Sequence, residues 1–301
     1  MKLADFDAWA RAAQDAVERA LERWVPTDAP AGLGEAMRYG VLDGGKRVRP
    51  LLVLAAAQAV HGNPDAALRA ACAVELIHAY SLVHDDMPCM DNDVLRRGKP
   101  TVHVQYGQAQ AMLAGDAMHT LAFELLTAAP GQEADFELSP PLSARLCALL
   151  ARAAGHAGMA GGQAIDLASV GKPLAHAQLR DMHRRKTGAL LQASVMMGAA
   201  CGRIEAQAWR ALGEYGDAIG LAFQIVDDIL DVTQESATLG KTAGKDLDCN
   251  KPTYVSVLGL EAARRQADEL HAQAQAALAR SGLGDIGTLS RLAERIVERE
   301  S

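Results

Sequence analysis

The sequence predicts an all-α protein built as one domain over residues 1–301, and three observations favour that fold class. Half of the residues are hydrophobic but only 4% are aromatic. Alanine is abundant, which suits helices packed through small side chains better than sheets of β-branched and aromatic residues. Apolar residues also recur at three- and four-residue intervals through almost every segment, as on the buried face of a helix.

The first helix has one apolar face, formed by Leu3, Phe6, Trp9, Ala13, Val17 and Leu21. It should end near Trp24, because prolines follow at positions 26 and 30. Further helices are predicted over residues 34–42, 50–61, 65–86, 107–128, 141–158, 176–200, 205–232, 253–280 and 285–299. Loops are predicted at 62–65, 129–141, 161–173 and 238–252. Residues 188–202 are apolar on all sides, which indicates a helix surrounded by others.

Composition excludes several classes of protein. The 30 Lys and Arg residues against 37 Asp and Glu give a net charge of −7, which argues against nucleic acid as a partner. The five cysteines are scattered and form no CxxC pair, so neither a disulfide framework nor a zinc cluster is indicated. The N-terminus lacks the apolar stretch of a signal peptide, and Leu51–Val60 is about half the length of a membrane span. We therefore expect a cytoplasmic protein without membrane insertion.

The first acidic cluster contains Asp85, Asp86 and Asp91, in the spacing DDxxxxD. On an uninterrupted helix Asp85 and Asp91 would lie about 240° apart and could not share a ligand. Pro88 disfavours a helical conformation at the residue before it, so the helix should end near Asp86. The following loop can then turn Asp91 back towards Asp85.

The second acidic cluster contains Asp227, Asp228 and Asp231, in the spacing DDxxD. Asp227 and Asp231 are one helical turn apart, about 40° from alignment, so their carboxylates should project side by side. Each cluster is embedded in an apolar helix, and a buried carboxylate costs several kcal/mol unless it is paired or bound to metal. A small number of hard oxygen ligands favours Mg²⁺, which fills its other positions with water and substrate phosphates. Neither cluster has the ligand pattern of an EF-hand calcium loop.

Basic residues accompany the acidic clusters along the chain. They are Lys46, Arg47 and Arg49 after a Gly-Gly turn, Arg96 and Arg97, Arg184, Arg185 and Lys186, and Lys241, Lys245 and Lys251. Grouped cations beside grouped acids indicate a ligand that carries anionic groups and binds metal. Diphosphate meets both conditions, since it bridges Mg²⁺ ions and accepts bidentate hydrogen bonds from arginine.

Five motifs across residues 44–231 resemble the trans-prenyl diphosphate synthases, closest to the bacterial farnesyl diphosphate synthases. In chain order they are GGKRVRP, HAYSLVHDDMPCMDNDVLRRGKPTVH, GGQAIDL, KTG and FQIVDDILD. The resemblance implies the isoprenoid synthase fold, in which antiparallel helices surround a deep central cavity. It also implies a homodimer, with the two acidic motifs facing each other across the mouth of the cavity.

The resemblance implies roles for individual residues. Mg²⁺ would be the cofactor, with about three ions per active site, two bound by Asp85 and Asp91 and one by Asp227, supported by Asp86 and Asp231. The allylic diphosphate would contact Arg96, Lys186, Lys241 and Lys251. Isopentenyl diphosphate would contact Lys46, Arg49, His78 and Arg97. Oxygen atoms of Thr187 and Gln224 would lie near the reacting carbons, together with Lys186.

The implied reaction is consistent with these residue types. Ionisation of the allylic C–O bond leaves a carbocation and a diphosphate, and cations on the leaving group favour that separation. The alkene of isopentenyl diphosphate then attacks the carbocation and a proton is lost, so no protein nucleophile is required. Water would quench the carbocation, which predicts a site that closes over its substrates, with 238–252 as the candidate lid.

Product length is predicted to depend on Tyr80, five positions before the first motif. Tyr80 lies about 7.5 Å from Asp85 along the helix axis. In having a bulky aromatic residue at this position, the sequence resembles the enzymes of the family that stop at the fifteen-carbon product. Ser81 lies about 40° from Asp85 around the helix and Tyr80 about 140°, so the ring must reach round to the cavity.

Three alternatives remain at this point. A class I terpene cyclase would carry an Asn/Ser/Glu-type second motif and no isopentenyl diphosphate site, so FQIVDDILD and GGKRVRP argue against it. A geranylgeranyl diphosphate synthase differs at the chain-length residues, for which Tyr80 is the discriminating position. A non-catalytic partner subunit would have lost an acidic or arginine motif, whereas both are intact here. The sequence therefore favours a farnesyl diphosphate synthase.

Overall fold

A computed structural model describes residues 1–42, 44–127, 138–233 and 252–299. Its helices are α1 (Leu3–Trp24), α2 (Leu33–Val41), α3 (Val48–Ala59), α4 (Pro64–Asp85), α5 (Val102–Tyr106), α6 (Gln108–Leu126), α7 (Pro140–Ala154), α8 (Met159–Ser169), α9 (His176–His183), α10 (Ala189–Ala200), α11 (Ala206–Thr233), α12 (Tyr254–Leu258), α13 (Leu260–Arg280) and α14 (Gly287–Val297). A 3₁₀ turn at Pro30–Gly32 precedes α2. Two short antiparallel strands, β1 (Leu95–Arg96) and β2 (Lys99–Pro100), form a hairpin after α4. The all-α prediction is confirmed, whereas the prediction of a single domain over 1–301 stays a prediction.

Helix α10 lies at the centre of the described structure, as its all-round apolar sequence predicts. Every residue from Ala193 to Ala200 is buried, and α10 packs against α3, α4, α7 and α11. One apolar core lies on the side of α4 and α6 and a second on the side of α11 and α13. The central helix therefore joins two halves of the core.

Several helix boundaries differ from prediction. The glycines of residues 161–173 predict a loop, but α8 extends through Ser169. Its Gly162 is needed for contact with a neighbouring segment, since a Cβ there would overlap the backbone nitrogen of Lys186. Gly107, with a φ of +87°, precedes α6, which corresponds to the predicted helix 107–128. Gly259, with a φ of +81°, divides the predicted helix 253–280 into α12 and α13. Such a φ interrupts a right-handed helix and is tolerated best by glycine.

Helix α4 carries the first acidic motif at its C-terminal end. It begins with Pro64, and the side chain of Asn63 caps it by accepting from the backbone N–H of Ala66 at 2.9 Å. Its length and apolar composition would suffice to cross a bilayer, but 67% of its most apolar window is buried inside the fold. These properties are therefore those of a core helix.

Candidate functional site

The first acidic cluster lies where α4 ends. The helix stops at Asp85, and the backbone N–H of Asp91 donates to the Asp85 carbonyl oxygen at 2.8 Å. The backbone N–H of Asp93 likewise donates to the Asp86 carbonyl oxygen at 3.1 Å. The segment containing Pro88 thus turns back on the end of the helix, in the way the proline predicts, and brings Asp91 next to Asp85.

The carboxyl group of Asp85 is held between α4 and α8. Gln163 Nε2 donates to Asp85 Oδ1 at 2.9 Å. Burial, together with the neighbouring carboxylates of Asp91 and Asp86, raises the pKa of Asp85 to about 6, against the opposing positive charges of Lys186 and Arg96. The effects of burial and of the neighbouring carboxylates on the pKa of Asp85 therefore outweigh those of the nearby positive charges.

Asp86 and Arg96 are paired with each other. Arg96 Nε lies 2.9 Å from Asp86 Oδ2 and its terminal nitrogen 2.6 Å from Oδ1, which is a bidentate ion pair. Asp86 is 3% exposed, and its burial raises its pKa while Arg96 opposes that shift. The sequence predicts that both side chains serve ligands, Asp86 the metals and Arg96 the allylic diphosphate. In the structure the two side chains pair with each other, and their roles toward ligands stay predictions.

Lys186 and Thr187 lie in a π turn, Arg184–Gly188, between α9 and α10. Such turns widen a helix locally and are frequent at functional sites. Lys186 Nζ lies 2.5 Å from Asp166 Oδ2 on α8, an ion pair made possible by the close approach at Gly162. Arg184 and Arg185, which precede Lys186, instead form surface ion pairs with Asp217 and Asp181 respectively.

The reacting-carbon candidates Thr187 and Gln224 are in direct contact. Thr187 Oγ1 donates to Gln224 Oε1 at 2.7 Å, which joins the π turn to α11. The two segments approach closely there, since a Cβ on Gly220 would lie 2.8 Å from the Cα of Gly188. The structure therefore brings together the two oxygen-bearing side chains that the sequence separates.

The second acidic cluster lies near the end of α11, and its aspartates differ in exposure. The side chain of Asp227 is 40% exposed and forms an ion pair with Arg299, whereas Asp228 and Asp231 are 2% and 4% exposed. The guanidinium of Arg299 also lies 4.0 Å above the Phe223 ring. The sequence analysis missed Arg299, because no motif marks a lone arginine near the end of the chain.

Several predicted cations gather near His78. Burial and the surrounding arginine charges lower the pKa of His78 well below its usual value, so the imidazole is neutral. Arg49 Nε is buried with no hydrogen-bond acceptor among the described residues, which leaves a donor for an anion. Arg97 donates to the carbonyl oxygen of Gly44, which connects the second arginine of the RR pair to the loop of the GGKRVRP motif.

Lys46, the first basic residue of that motif, is exposed. It lines a hollow of about 470 Å³ that is also lined by Phe223 and Arg299. Although Lys46 is exposed overall, the partial burial of its side chain and the charge of Arg299 lower its pKa, while the charge of Asp227 opposes this shift. Lys46 therefore lies near the second acidic cluster.

Arg47, the next basic residue, has a structural role. It is 4% exposed and forms ion pairs with Glu18 and Glu75, each at 2.6 Å. A terminal nitrogen of its guanidinium also donates to the carbonyl oxygen of Val41 at 2.6 Å. Arg47 therefore connects the GGKRVRP segment to helices α1, α2 and α4.

A cavity of about 380 Å³ runs along α4 from Asp85. Its lining includes Arg49, His78, Tyr80, Ser81, Asp85, Gln163, Lys186 and Thr187. Asp227 is not part of this lining, but its charge acts on Arg49. Burial lowers the pKa of Arg49, and the negative charges of Glu75 and Asp227 oppose that shift. Gln224, on the same helix α11 as Asp227, accepts a hydrogen bond from Thr187, which lines the cavity. Predicted metal, anion and reacting-carbon residues thus border one cavity.

Tyr80 lies in the wall of this cavity, as its predicted role requires. Its ring meets the rings of His84 and His119 edge to face, with centroids 5.7 and 5.0 Å apart. His119 on α6 in turn lies 5.4 Å from the Phe123 ring. His84 is fixed by a 3.0 Å hydrogen bond to the Met112 carbonyl oxygen. An aromatic cluster between α4 and α6 therefore holds the Tyr80 ring.

The donor set fits Mg²⁺ better than a metal that needs an all-protein cage. In the described ranges no group of three or more His, Cys, Asp or Glu side chains is placed to hold an ion by itself. Mg²⁺ commonly takes one or two carboxylates and completes its shell with water and phosphate oxygens. The adjacent aspartates Asp85 and Asp91, with a buried arginine donor at the same cavity, suit Mg²⁺ that arrives with a diphosphate.

Predictions on Lys241, Lys245 and Lys251, and on nearly all of the candidate lid 238–252, lie outside the described residues. The predicted contacts of Lys241 and Lys251 with the allylic diphosphate stay predictions.

Comparison with known proteins gives consistent results. The polyprenyl synthetase family model matches residues 30–281. A farnesyl diphosphate synthase of Geobacillus stearothermophilus is 44% identical over 289 residues, 95% of each chain. A large subunit of the heterodimeric geranylgeranyl pyrophosphate synthase of Arabidopsis thaliana is 44% identical over 300 residues, which is 99% of this chain and 80% of that protein. A geranyltransferase of Helicobacter pylori, solved with magnesium and isoprenyl diphosphate, superposes with a TM-score of 0.82 at 34% identity, over 96% of this chain and 95% of that one.

Proposed function

The chain belongs to the polyprenyl synthetase family and is a prenyltransferase, a trans-prenyl diphosphate synthase; on this premise we propose that it makes (2E,6E)-farnesyl diphosphate. The substrates would be isopentenyl diphosphate and dimethylallyl or geranyl diphosphate. The observation that carries the product length is the Tyr80 ring, fixed by His84 and His119 in the wall of the cavity that runs from Asp85. A growing apolar chain that enters beside Asp85 would meet this ring.

Isopentenyl diphosphate would bind through Lys46, Arg49, His78 and Arg97. Support comes from the buried Arg49 Nε, which has no acceptor among the described residues, and from the neutral imidazole of His78 beside it. A neutral imidazole donates one hydrogen bond without adding a further charge among these arginines. Arginines in a partly buried site bind diphosphate more strongly than they would in water.

The allylic diphosphate would bind near the aspartates of the two acidic clusters, Asp85, Asp91 and Asp227. Mg²⁺, about three ions in the bound state, would supply positive charge to the departing diphosphate. Asp85 and Asp91 are brought together by the loop after α4, and Gln163 orients the Asp85 carboxylate.

Further residues would support this allylic site. Lys186 is held by Asp166 within the same cavity, where its ammonium can donate to a phosphate oxygen. Asp86 would act by holding Arg96 in place, and Asp231 would assist Asp227 one turn along α11.

The chemical step proceeds without a covalent enzyme intermediate. The allylic C–O bond breaks and its electron pair leaves with the diphosphate. The alkene electrons of isopentenyl diphosphate form the new C–C bond, and the departing diphosphate takes the proton that is lost. Thr187 and Gln224 would place oxygen atoms near the carbon that becomes positive, where a fixed dipole stabilises charge without reorganisation.

A geranylgeranyl product is the second candidate, because a geranylgeranyl pyrophosphate synthase subunit matches with the same 44% identity as a farnesyl diphosphate synthase. The experiment that separates them is incubation with isopentenyl diphosphate and each starter, with and without Mg²⁺, followed by chain-length analysis of the dephosphorylated products. We expect fifteen-carbon product that requires Mg²⁺. A twenty-carbon product would reject the proposed length, and turnover without divalent metal would reject the mechanism.

The proposed assembly is a homodimer. Large apolar side chains stay exposed around the β-hairpin, α5 and α6, namely Val94, Leu95, Val104, Met112 and Leu113. Light scattering of the purified chain should give twice the mass of 31.8 kDa, and Leu113→Glu should shift it towards the monomer. A monomeric wild-type chain would contradict this assembly.

A further inference from the structure

Asp228 is buried, and both of its carboxylate oxygens accept hydrogen bonds. Gln224 Nε2 donates to Asp228 Oδ1 at 2.8 Å, and the backbone N–H of Tyr254 donates to Oδ2 at 2.7 Å. Asp228 is 2% exposed, whereas the side chain of Asp227 is 40% exposed. The two adjacent aspartates of the DDxxD motif therefore have different surroundings.

The bonds to Asp228 determine the orientation of the Gln224 amide. The NH₂ group of Gln224 faces Asp228, since its Nε2 donates to the carboxylate oxygen Oδ1. Its carbonyl oxygen then points the other way, towards Thr187 Oγ1, which lies 2.7 Å away. Because this oxygen is an acceptor, the Thr187 hydroxyl must donate its single proton to Gln224. The lone pairs of Thr187, which lines the cavity, are then directed away from Gln224.

We propose that Asp228 is a positioning residue that acts through Gln224 to turn the hydroxyl proton of Thr187 away from the reacting carbons. This inference rests on the proposed function and adds a role to it. The oxygen lone pairs of Thr187 face the cavity in which positive charge develops, and that orientation is fixed before the reaction begins. The opposite orientation would direct a proton, the positive end of the O–H dipole, at the carbocation.

The substitution Asp228→Asn tests this chain of hydrogen bonds, from Asp228 through Gln224 to Thr187, because it exchanges one acceptor for a donor. The backbone N–H of Tyr254 cannot become an acceptor, so the remaining oxygen of the introduced amide must face it and the new NH₂ group faces Gln224. Gln224 then turns its carbonyl oxygen to that NH₂ group and its own NH₂ group to Thr187. The Thr187 oxygen must accept that bond, and its proton rotates into the cavity. We expect kcat to fall about 100-fold, with both KM values and the Mg²⁺ requirement within about twofold of wild type.

A second substitution, at Gln224 in the same chain of hydrogen bonds, should restore activity to the Asp228→Asn variant. In Gln224→Glu/Asp228→Asn the introduced carboxylate accepts from the introduced NH₂ group with one oxygen and from the Thr187 hydroxyl with the other. The original direction of the hydroxyl returns, so kcat should recover at least about tenfold over Asp228→Asn. Gln224→Glu alone places two carboxylates against each other and should stay below the double variant. Asp268→Asn is the control, since it makes the same change at an exposed position on α13 and should retain wild-type activity.

Magnesium-dependent binding of inorganic diphosphate, measured by calorimetry, distinguishes positioning from metal ligation. Asp228→Asn should bind as wild type does, whereas Asp227→Asn should bind more weakly. An increased Mg²⁺ requirement or weakened diphosphate binding in Asp228→Asn, or no recovery in the double variant, would overturn the proposal.

If Asp228→Asn does not fold, Gln224→Met serves instead, since it leaves Asp228 intact; wild-type kcat in that variant is the contrary result. A wild-type protein that forms no prenyl product contradicts the proposed function itself.

Discussion

The backbone N–H of Asp91 donates to the carbonyl oxygen of Asp85 at 2.8 Å, so a hydrogen bond of the main chain brings together the two ends of the DDxxxxD motif. The bond closes the loop that contains Pro88, which is exposed and lies outside the helix. The position of the two carboxylates thus depends on where α4 ends.

The first prediction is that Pro88→Ala weakens the response to Mg²⁺. Alanine is the best helix former, so it removes the signal that ends α4 and lets the helix continue by part of a turn. Asp91 would then rotate away from Asp85. We expect a several-fold higher Mg²⁺ concentration for half-maximal activity, measured at saturating substrates. Pro64→Ala, at the start of the same helix, is the matched control; equal Mg²⁺ responses of the two variants would argue against the role of Pro88.

Sequence alone predicts the helical framework and the first acidic loop because both depend on local rules. The period of the apolar residues predicts α1, the uniformly apolar sequence of residues 188–202 predicts the buried helix α10, and a proline predicts the end of α4. The structure adds what depends on distant partners. Arg299 pairs with Asp227 across 72 positions, and no local pattern marks this pairing. The same holds for Asp86 and Asp228, since the spacing of a motif does not reveal which of its carboxylates is already occupied by a neighbouring group.

The second prediction concerns the buried ion pair of Arg47 and Glu75, whose side chains are 2% and 4% exposed. Arg47→Met leaves the Glu75 carboxylate buried without its partner, which should lower the free energy of unfolding by about 3–5 kcal/mol. Arg47→Met/Glu75→Leu removes both charges and should recover much of that loss. Urea unfolding of the three proteins measures both effects. A double variant less stable than the single one would show that the charge of Glu75 is not the cause.

The third prediction is a pH dependence of stability that arises from His183. Burial lowers the pKa of His183 to about 4, and neither ring nitrogen has a hydrogen-bond partner among the described residues. The unfolded chain, with a pKa near 6.5, binds the proton more readily than the folded protein. The contribution to stability is therefore fully present above about pH 6.5 and is lost as the pH falls towards 4, by up to about 3 kcal/mol.

His183→Phe removes this titration and keeps the stacking of the ring on Tyr254, whose centroid lies 5.4 Å away. The variant should unfold at a higher urea concentration than wild type at pH 5 and at nearly the same concentration at pH 7.5. His156→Phe, at an exposed position just after α7, is the comparison variant and should not change the pH dependence. Parallel stability profiles of wild type and His183→Phe between pH 4 and 7 would contradict the assignment.

The fourth prediction is that Tyr80→Ala lengthens the product. The ring of Tyr80 is fixed in the cavity wall by His84 and His119, so its removal opens space along α4 beyond the fifteen-carbon limit. We expect products of twenty carbons or more from geranyl diphosphate and isopentenyl diphosphate, with Mg²⁺ dependence unchanged. Tyr80→Phe keeps the ring and should still stop at fifteen carbons, which separates the bulk of the side chain from its hydroxyl. An unaltered product from Tyr80→Ala would place the limit on chain growth elsewhere in the cavity and would remove the main support for a farnesyl product.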